Sequence, residues 1–131
     1  MRILHVVTDI RIANGIMSVI LNYFEQVSQN IKFDVVYFKD FPENRKKDIE
    51  ALGGRVYKLS SPGVKSFLKC DWDEFLQEHC GEYEAIHIHA PHLACMIVPK
   101  AKRYGIKKVA VHCHSTWYSL FKTNKLRNYL L

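Results

Sequence analysis

Residues 2–8 (RILHVVT) and the loop after them, residues 9–15 (DIRIANG), decide the fold of this chain. The first run is almost wholly apolar, which predicts a buried strand, and an amphipathic segment begins near Ile16. A strand, a loop ending in glycine and a helix form the opening of a βαβ unit. Ligands of open α/β sheets lie outside the carboxyl ends of the strands, so we expect a binding site beside this loop.

The rest of the chain repeats this alternation of apolar runs and amphipathic segments. Further strands are predicted over residues 32–38, 55–59, 84–89 and 107–113, and helices over residues 16–30, 43–52, 65–80 and 93–104. Asn14 is the predicted N-cap of the first helix. The residues predicted to face the sheet from that helix are Ile16, Ile20, Tyr23, Phe24 and Val27.

Strands alternating with helices predict an α/β fold with a parallel sheet covered on both faces. Right-handed crossovers then give the strand order 3-2-1-4-5. The predicted fold class is therefore a Rossmann-like doubly wound parallel sheet. A length of 131 residues allows one domain at most, and no strand is predicted after the fifth.

Composition and charge restrict the class of protein. The apolar share of 48% and the charged share of 24% are ordinary for a globular chain. The net charge of +6 favours anionic partners such as phosphates, nucleotides or an acidic lipid surface, or is simply a solvated basic exterior. None of the four cysteines forms a C-x-x-C pair, and the first apolar run is too short for a signal peptide. We expect reduced thiols and a cytoplasmic location.

The last residues, 115–131, predict a loop followed by a basic helix. Its charges, Lys122, Lys125 and Arg127, lie beside an apolar stripe, which suggests peripheral contact with the inner face of a membrane. The alternative is a solvated helix that packs in a complete domain.

The first loop lacks two common phosphate-binding motifs. It has neither the G-x-G-x-x-G pattern of dinucleotide-binding proteins nor a P-loop, so NAD binding of the ordinary Rossmann kind is not expected. Asn14 and Gly15 can still present N–H groups to a phosphate or a sugar, or can form a plain strand-to-helix turn. Glu74 and Glu82 have the E-x7-E spacing of retaining glycosyltransferases, but we interpret both as solvated residues of an amphipathic helix.

Six of the seven histidines lie in or just after three predicted strands. The three at strand ends, His89, His92 and His114, are expected to converge on one cleft. For His5 and His87, in mid-strand positions, we expect hydrogen-bonded core residues without chemistry. Residues 87–92 (HIHAPH) are similar to the H-x-H-x-D-H pattern of binuclear zinc hydrolases, but proline replaces the aspartate. We therefore expect no metal, and a histidine-rich metal-dependent hydrolase is the least favoured alternative.

Six segments together resemble the N-terminal domain of family 4 glycosyltransferases, which have the GT-B fold, in the form found in bacterial polysaccharide biosynthesis. They are residues 1–8 (MRILHVVT), the loop ending in Asn14 and Gly15, and residues 32–36 (KFDVV), 51–57 (ALGGRVY), 83–90 (YEAIHIHA) and 111–116 (VHCHST). They occur in the family's order and at similar spacing, and the resemblance covers essentially all 131 residues.

The resemblance implies an enzyme with two Rossmann-like domains that face each other across a cleft. The N-terminal domain mostly holds the saccharide or lipid-linked acceptor, and the C-terminal domain binds the nucleotide-sugar donor. By this resemblance, residues 1–131 are an incomplete N-terminal domain, half of a GT-B architecture, and the C-terminal nucleotide-sugar domain is absent. A separate chain could supply that half. We expect no sugar transfer by this chain alone, no cofactor, no metal and no nucleic-acid partner.

The resemblance also implies roles for particular residues. Asn14 and Gly15 occupy the loop that approaches the donor phosphate and sugar. His114, with His112 as the alternate, matches a histidine that lies near the reacting sugar. The expected acceptor cleft contains His89, His92 and Ser115. A free-standing Rossmann-like module that binds a nucleotide or phosphate without chemistry is the main alternative.

Overall fold

The computed structural model describes residues 1–27, 29–61 and 71–114. Strands and helices alternate along this part of the chain. The strands are β1 (Arg2–Val6), β2 (Lys32–Tyr37), β3 (Val56–Lys58), β4 (Tyr83–Ile88) and β5 (Lys108–Val111). The helices are α1 (Gly15–Gln26), α2 (Lys46–Ala51), α3 (Asp71–His79) and α4 (Ala94–Arg103), with 3-10 turns at Cys80–Glu82 and Pro91–Leu93.

The five strands form one parallel sheet in the order β3-β2-β1-β4-β5, as the sequence predicts. β1 is central: His5 is in register with Val35 of β2 and with His87 of β4. The change of direction in the strand order therefore falls between β1 and β4. In sheets of this kind the ligand crevice lies at that position, outside the carboxyl ends of the strands.

Two hydrophobic cores lie on opposite faces of the sheet because successive side chains of a strand alternate between faces. One core holds Val6, Ile86 and Ile88 together with Trp72 of α3 and Ile97 of α4. The other lies under α1 and α2, and its fully buried members include Val7, Val35, Met17 and Ile49. The chain is thus a Rossmann-like α/β protein.

Glycines terminate two of the helices and allow close packing after one of them. Gly53 (φ +83°) follows α2 and Gly105 (φ +86°) follows α4, both in the left-handed conformation that side chains disfavour. At Gly54 a Cβ atom would collide with the backbone oxygen of Phe33 and approach Ile49. The segment between α2 and β3 can therefore pack directly on β2 only with glycine at this position.

Several predicted boundaries and one predicted face need correction. α1 ends at Gln26 rather than near residue 30, and α2 is shorter than the predicted helix. The buried residues of α1 are Met17, Ile20, Leu21 and Phe24, whereas Tyr23, predicted to face the core, is 63% exposed. Residues 65–70 of the third predicted helix and all of residues 115–131 lie outside the described part of the chain.

None of the helices in the described ranges is both long enough and apolar enough to cross a membrane. The membrane-contacting segment predicted from Lys122, Lys125 and Arg127 lies outside these ranges.

Candidate functional site

The loop after β1 is a capped helix start. The Asn14 side-chain oxygen accepts hydrogen bonds from the backbone N–H groups of Ile16 (3.0 Å) and Met17 (3.4 Å), which confirms the predicted N-cap. Its amide nitrogen donates to the backbone oxygen of Asp9 (2.8 Å) and to the Asp9 carboxylate (3.1 Å). The side chain of Asn14 is therefore committed to holding the loop against the first turn of α1.

Because Asn14 caps α1, the start of this helix is poorly suited to bind an anion. A phosphate at a helix N-terminus is bound by the free N–H groups of the first turn. In α1, Asn14 already supplies an acceptor to two of these groups, and the first turn contains no acidic residue. The buried Asp9 carboxylate lies in the same loop, where it pairs with the Arg11 guanidinium (3.2 Å). A phosphate at this position would have to displace the cap and approach a carboxylate.

Gly15 has no structural reason to be glycine within the described part of the chain. Its φ is not positive, it is exposed, and a Cβ atom built on it would meet no heavy atom within 4 Å. Alanine is the better helix former at such a position. A glycine that neither the backbone nor the packing requires leaves space for another molecule to approach this end of the helix.

Five histidines gather on one face of the sheet, on the side of β1 where β4 and β5 lie. They are His5, His87, His89, His112 and His114. His89 follows β4 and its N–H donates to the Val6 oxygen (2.8 Å), while the N–H of His112 donates to the Ile88 oxygen (2.8 Å). These bonds extend the sheet pairing past the strand ends, so residues two apart keep their side chains on the same face.

The imidazoles of this five-histidine cluster form a hydrogen-bonded chain that passes through His89. The Nδ1 atom of His5 lies 3.1 Å from Nε2 of His89, and Nδ1 of His89 lies 2.9 Å from Nε2 of His114. A neutral imidazole has one donor and one acceptor nitrogen, so His89 donates in one direction and accepts in the other. The ring centroids of His87 and His89, and those of His112 and His114, are 4.1 Å apart.

Burial keeps the inner members of the cluster neutral. Loss of solvent contact is the largest cause that lowers the pKa of His5 to about 3, and the neighbouring His89 and His87 lower it further. Burial, followed by the charges of His87, His114 and His112, likewise lowers the pKa of His89 to about 3. Burial is also the main cause that lowers the pKa values of His87 and His114. At neutral pH the lone pairs of these rings are therefore available to a ligand.

A cavity of about 370 Å³ opens onto the cluster. Its other wall is a stripe of α1 and β2 side chains, namely Ile16, Val19, Ile20, Tyr23, Val27 and Phe33. Tyr23 and Val19 are 63% and 50% exposed, although both are large and apolar for most of their surface. Four residues predicted to face the core from the first helix thus line this cavity, namely Ile16, Ile20, Tyr23 and Val27. A polar wall of imidazoles opposite an apolar wall is typical of small-molecule sites.

A second cavity, of about 440 Å³, lies farther along the carboxyl edge between the loops after β1 and β2. It is bordered by residues 11–13 and 41–43, and the Arg11 guanidinium lies 4.8 Å from the centre of the Phe41 ring. This cavity contains none of the residues that the sequence indicated as functional. We therefore regard the cavity beside the histidines as the candidate site.

The structure brings together only some of the residues that the sequence proposed. His89 and His114 meet, as expected, and His112 lies beside them. His92 is exposed on the Pro91–Leu93 turn and does not line the cavity, and Ser115 lies outside the described residues. His5 and His87, expected to be ordinary core residues, belong to the cluster. The expectation of a fully hydrogen-bonded core histidine is wrong for His5, because its buried Nε2 atom has no partner within the described part.

The two glutamates with E-x7-E spacing do not form a catalytic pair. Glu74 is exposed on α3. Glu82 lies in the following 3-10 turn, where it accepts from Arg55 (2.6 Å) and contacts His79 (2.8 Å). The interpretation as a solvated helix residue fits Glu74, whereas Glu82 lies in the turn after the helix and is engaged in ion pairs.

No protein-family model, no curated protein and no solved structure matches this chain. The fold class is the Rossmann-like α/β sheet described above, and the function has to be argued from the site.

Proposed function

We propose that this chain is the acceptor-side domain of a glycosyltransferase, which transfers a sugar from a nucleotide-sugar donor to a saccharide or lipid-linked acceptor. Two lines of reasoning support the proposal. The ordered segments that resemble family 4 glycosyltransferases cover β1, β2 and β4, reach the start of β3 and begin at the last residue of β5. The strand order also places the ends of β1, β4 and β5 side by side, where such a cleft would lie.

The proposal rests mainly on two features that both lie at the carboxyl ends of the strands. Gly15, exposed and with open space around its Cα, follows β1. The pair His89 and His114, whose rings share a hydrogen bond of 2.9 Å, follows β4 and β5. A neutral, exposed imidazole held by a neighbour can donate or accept a hydrogen bond with a sugar hydroxyl. His114 is the residue to which the resemblance assigns contact with the sugar.

The capped start of α1 distinguishes this proposal from a free-standing nucleotide-binding or phosphate-binding module. Asn14 accepts from the Ile16 and Met17 N–H groups that a phosphate would need, and the Arg11 guanidinium of this loop is already paired with Asp9. The edge therefore suits the neutral hydroxyl groups of a saccharide better than a phosphate. Binding of the nucleotide would then fall mainly to the facing domain, which the fold described here does not include.

A cytoplasmic location forms part of the same proposal. Within the described ranges Cys80, Cys95 and Cys113 are free thiols, which suits a reducing compartment.

The proposal is tested by titrating the full chain with sugars in the presence of EDTA. Two-dimensional NMR of the backbone amides monitors the titration. The probes are methyl glycosides of glucose, galactose and mannose, with UDP-glucose and UDP as donor and nucleotide probes. We expect one of the glycosides to shift the signals of Gly15, His89 and His114, and UDP alone to leave them unchanged. Binding of UDP as tight as that of UDP-glucose, without a response to any glycoside, would favour the nucleotide-binding module instead.

Two variants with matched controls make the test specific to this edge. His114→Ala removes one hydrogen bond of about 1 kcal/mol and should weaken glycoside binding roughly fivefold, whereas His79→Ala, on α3, should not. Gly15→Ala should block approach to the loop without loss of stability. Gly81→Ala, equally open but in the turn before β4 at the opposite edge, should leave binding unchanged. Equal effects of the two glycine variants would refute a role for Gly15.

A further inference from the structure

The five-histidine cluster contains two sets of three imidazoles that could hold a metal ion. The inner triad is His5, His87 and His89, and the outer triad is His89, His112 and His114. In each triad, one nitrogen from every ring lies within 4.8 Å of the others. Neither triad includes a carboxylate or a thiol from the described residues, so the available ligands are imidazole nitrogens alone.

The spacing within the cluster is close to that of a metal centre. Zinc binds histidine nitrogen at about 2.0–2.1 Å, which places two ligand nitrogens of a tetrahedral site about 3.3 Å apart. The nitrogens of His5 and His89 are 3.1 Å apart in the described structure. Small rotations of the side chains would therefore bring three lone pairs onto one ion, without a change in the backbone.

The inner triad has a polar atom that the fold does not satisfy. His5 is 5% exposed, its Nδ1 faces His89, and its Nε2 is buried without a partner in the described ranges. An unsatisfied buried polar group destabilises a fold, so an apolar residue would suit a merely structural role better. The Nδ1 atom that faces His89 is the one placed to bind an ion, and this role as a ligand explains why a histidine occupies a central strand whose adjacent core positions are valine and leucine.

We propose that the inner triad, His5, His87 and His89, binds one divalent transition-metal ion of the kind that prefers imidazole, such as Zn²⁺. Three neutral nitrogen ligands suit zinc, copper, nickel or cobalt and disfavour Mg²⁺ and Ca²⁺, which require oxygen ligands. Three protein ligands also leave a fourth position open, on the side of the 370 Å³ cavity. This replaces the expectation of no metal, which rested on the missing aspartate of a sequence pattern and on the interpretation of His5 and His87 as core residues.

The outer triad is less suited to be the primary site. His112 and His114 are exposed, so water solvates their free nitrogens at no cost. The Nε2 atom of His114 instead contacts Nδ1 of His89 and can orient that ring, as the outer partners of metal-binding histidines usually do. The metal site is independent of the proposed glycosyltransferase function, although both involve His89.

The first test uses the full chain, stripped with chelator and dialysed. Titration with Zn²⁺, measured by calorimetry, should saturate at about one equivalent. Titration with Co²⁺ should produce the visible absorption of a nitrogen-ligated ion. Mg²⁺ at the same concentration should produce no heat. Absence of Zn²⁺ binding, or binding that Mg²⁺ reproduces, would overturn the proposal.

Four variants decide which residues bind the ion. His5→Leu and His89→Ala should each weaken Zn²⁺ affinity by more than about 100-fold, since loss of an outer partner alone costs 10–100-fold. The distant His79→Ala should leave the affinity unchanged. His112→Ala removes a ring that lies against that of His87 but removes no ligand of the inner triad, so it should weaken binding by less than about tenfold. His5→Leu replaces an unsatisfied polar group by an apolar one and should fold, which circular dichroism would verify.

The opposite pattern contradicts the inner site. If His5→Leu keeps full affinity and His112→Ala loses it, the ion is bound by the outer triad and the proposal is wrong. Because this titration contains no sugar, and the glycoside titration contains EDTA, failure of one proposal leaves the other intact.

Discussion

At the scale of single residues, Asp34 is the main polar anchor of the sheet. The carboxylate is fully buried and accepts from the Arg2 guanidinium (2.6 Å), from the backbone N–H and Nε of Arg55 (2.8 and 3.0 Å) and from the Tyr83 hydroxyl (3.0 Å). Burial, and then the charge of Asp34, raise the pKa of Tyr83 well above its ordinary value, so the hydroxyl stays protonated as a donor. Asp34 thereby links β1, β2 and β4 with the segment before β3.

Asp34→Asn should lower the free energy of unfolding by about 3 kcal/mol, at the lower end of the cost of breaking a buried ion pair. The lower end applies because the side chains of Arg2 and Arg55 are 29% and 35% exposed and remain partly solvated. Urea unfolding followed by circular dichroism measures the change. The control is Asp48→Asn, whose pair with Arg45 is at the surface, with an expected loss below about 1 kcal/mol. Equal losses in the two variants would show that Asp34 is no anchor.

The histidine cluster shows what residue-level reasoning from sequence can and cannot find. His89 and His114 were predicted to meet because both follow strands that were expected to be neighbours. His5 and His87 were set aside because mid-strand residues are usually core. The signal that would have found them is alternation: His87 and His89 are two apart, as are His112 and His114, so each pair shares a face of the sheet. That His5 lies on this same face depends on strand register, which the sequence does not specify.

At the scale of secondary-structure elements, the start of α1 depends on its cap. Asn14→Ala removes the acceptor of the Ile16 and Met17 N–H groups and should lower the free energy of unfolding by about 1 kcal/mol. Asn14→Ser keeps a capping oxygen and should recover most of this loss. Hydrogen exchange at the amides of Ile16 and Met17 should accelerate in the alanine variant only. Similar exchange in both variants would mean that the amide contact with Asp9, and not the cap, holds the loop.

The strands and helices were predicted more accurately than the side chains that each helix buries. The alternation of apolar runs and turn residues was sufficient for five strands in the observed order, because parallel strands with right-handed crossovers permit few arrangements. The inward face of α1 was predicted correctly at Ile20 and Phe24 and incorrectly at Tyr23, because the helix has two adjacent apolar stripes. One of them, with Met17 and Leu21, packs in the core. The other, with Ile16 and Tyr23, lines the cavity, and hydrophobicity alone does not distinguish a core from a cavity wall.

At the scale of the whole molecule, the two faces of the sheet differ in how completely they are covered. α3 and α4 cover one face across β1 and β4 with a core of fifteen buried residues. On the other face, α1 and α2 pack over β1 and β2, and within the described ranges His112 and His114 are exposed after β5. The cavity lies at the boundary between the covered and uncovered parts. This asymmetry places the candidate site where a facing domain or a ligand could contact both the imidazoles and α1.

The proposed function predicts that the purified 131-residue chain transfers no sugar. Catalysis by two facing domains depends on holding donor and acceptor in fixed orientation and on excluding water, and a single sheet edge provides neither. The measurement is incubation with radiolabelled UDP-glucose or GDP-mannose and the glycoside that binds best, with chromatography of the products.

A chain that binds the glycoside but transfers nothing fits an acceptor-side domain. Transfer above a heat-denatured control would contradict the prediction, because the edge formed by β1, β4 and β5 would then suffice for catalysis. If Zn²⁺ were needed for that transfer, the metal site and the sugar site would be one.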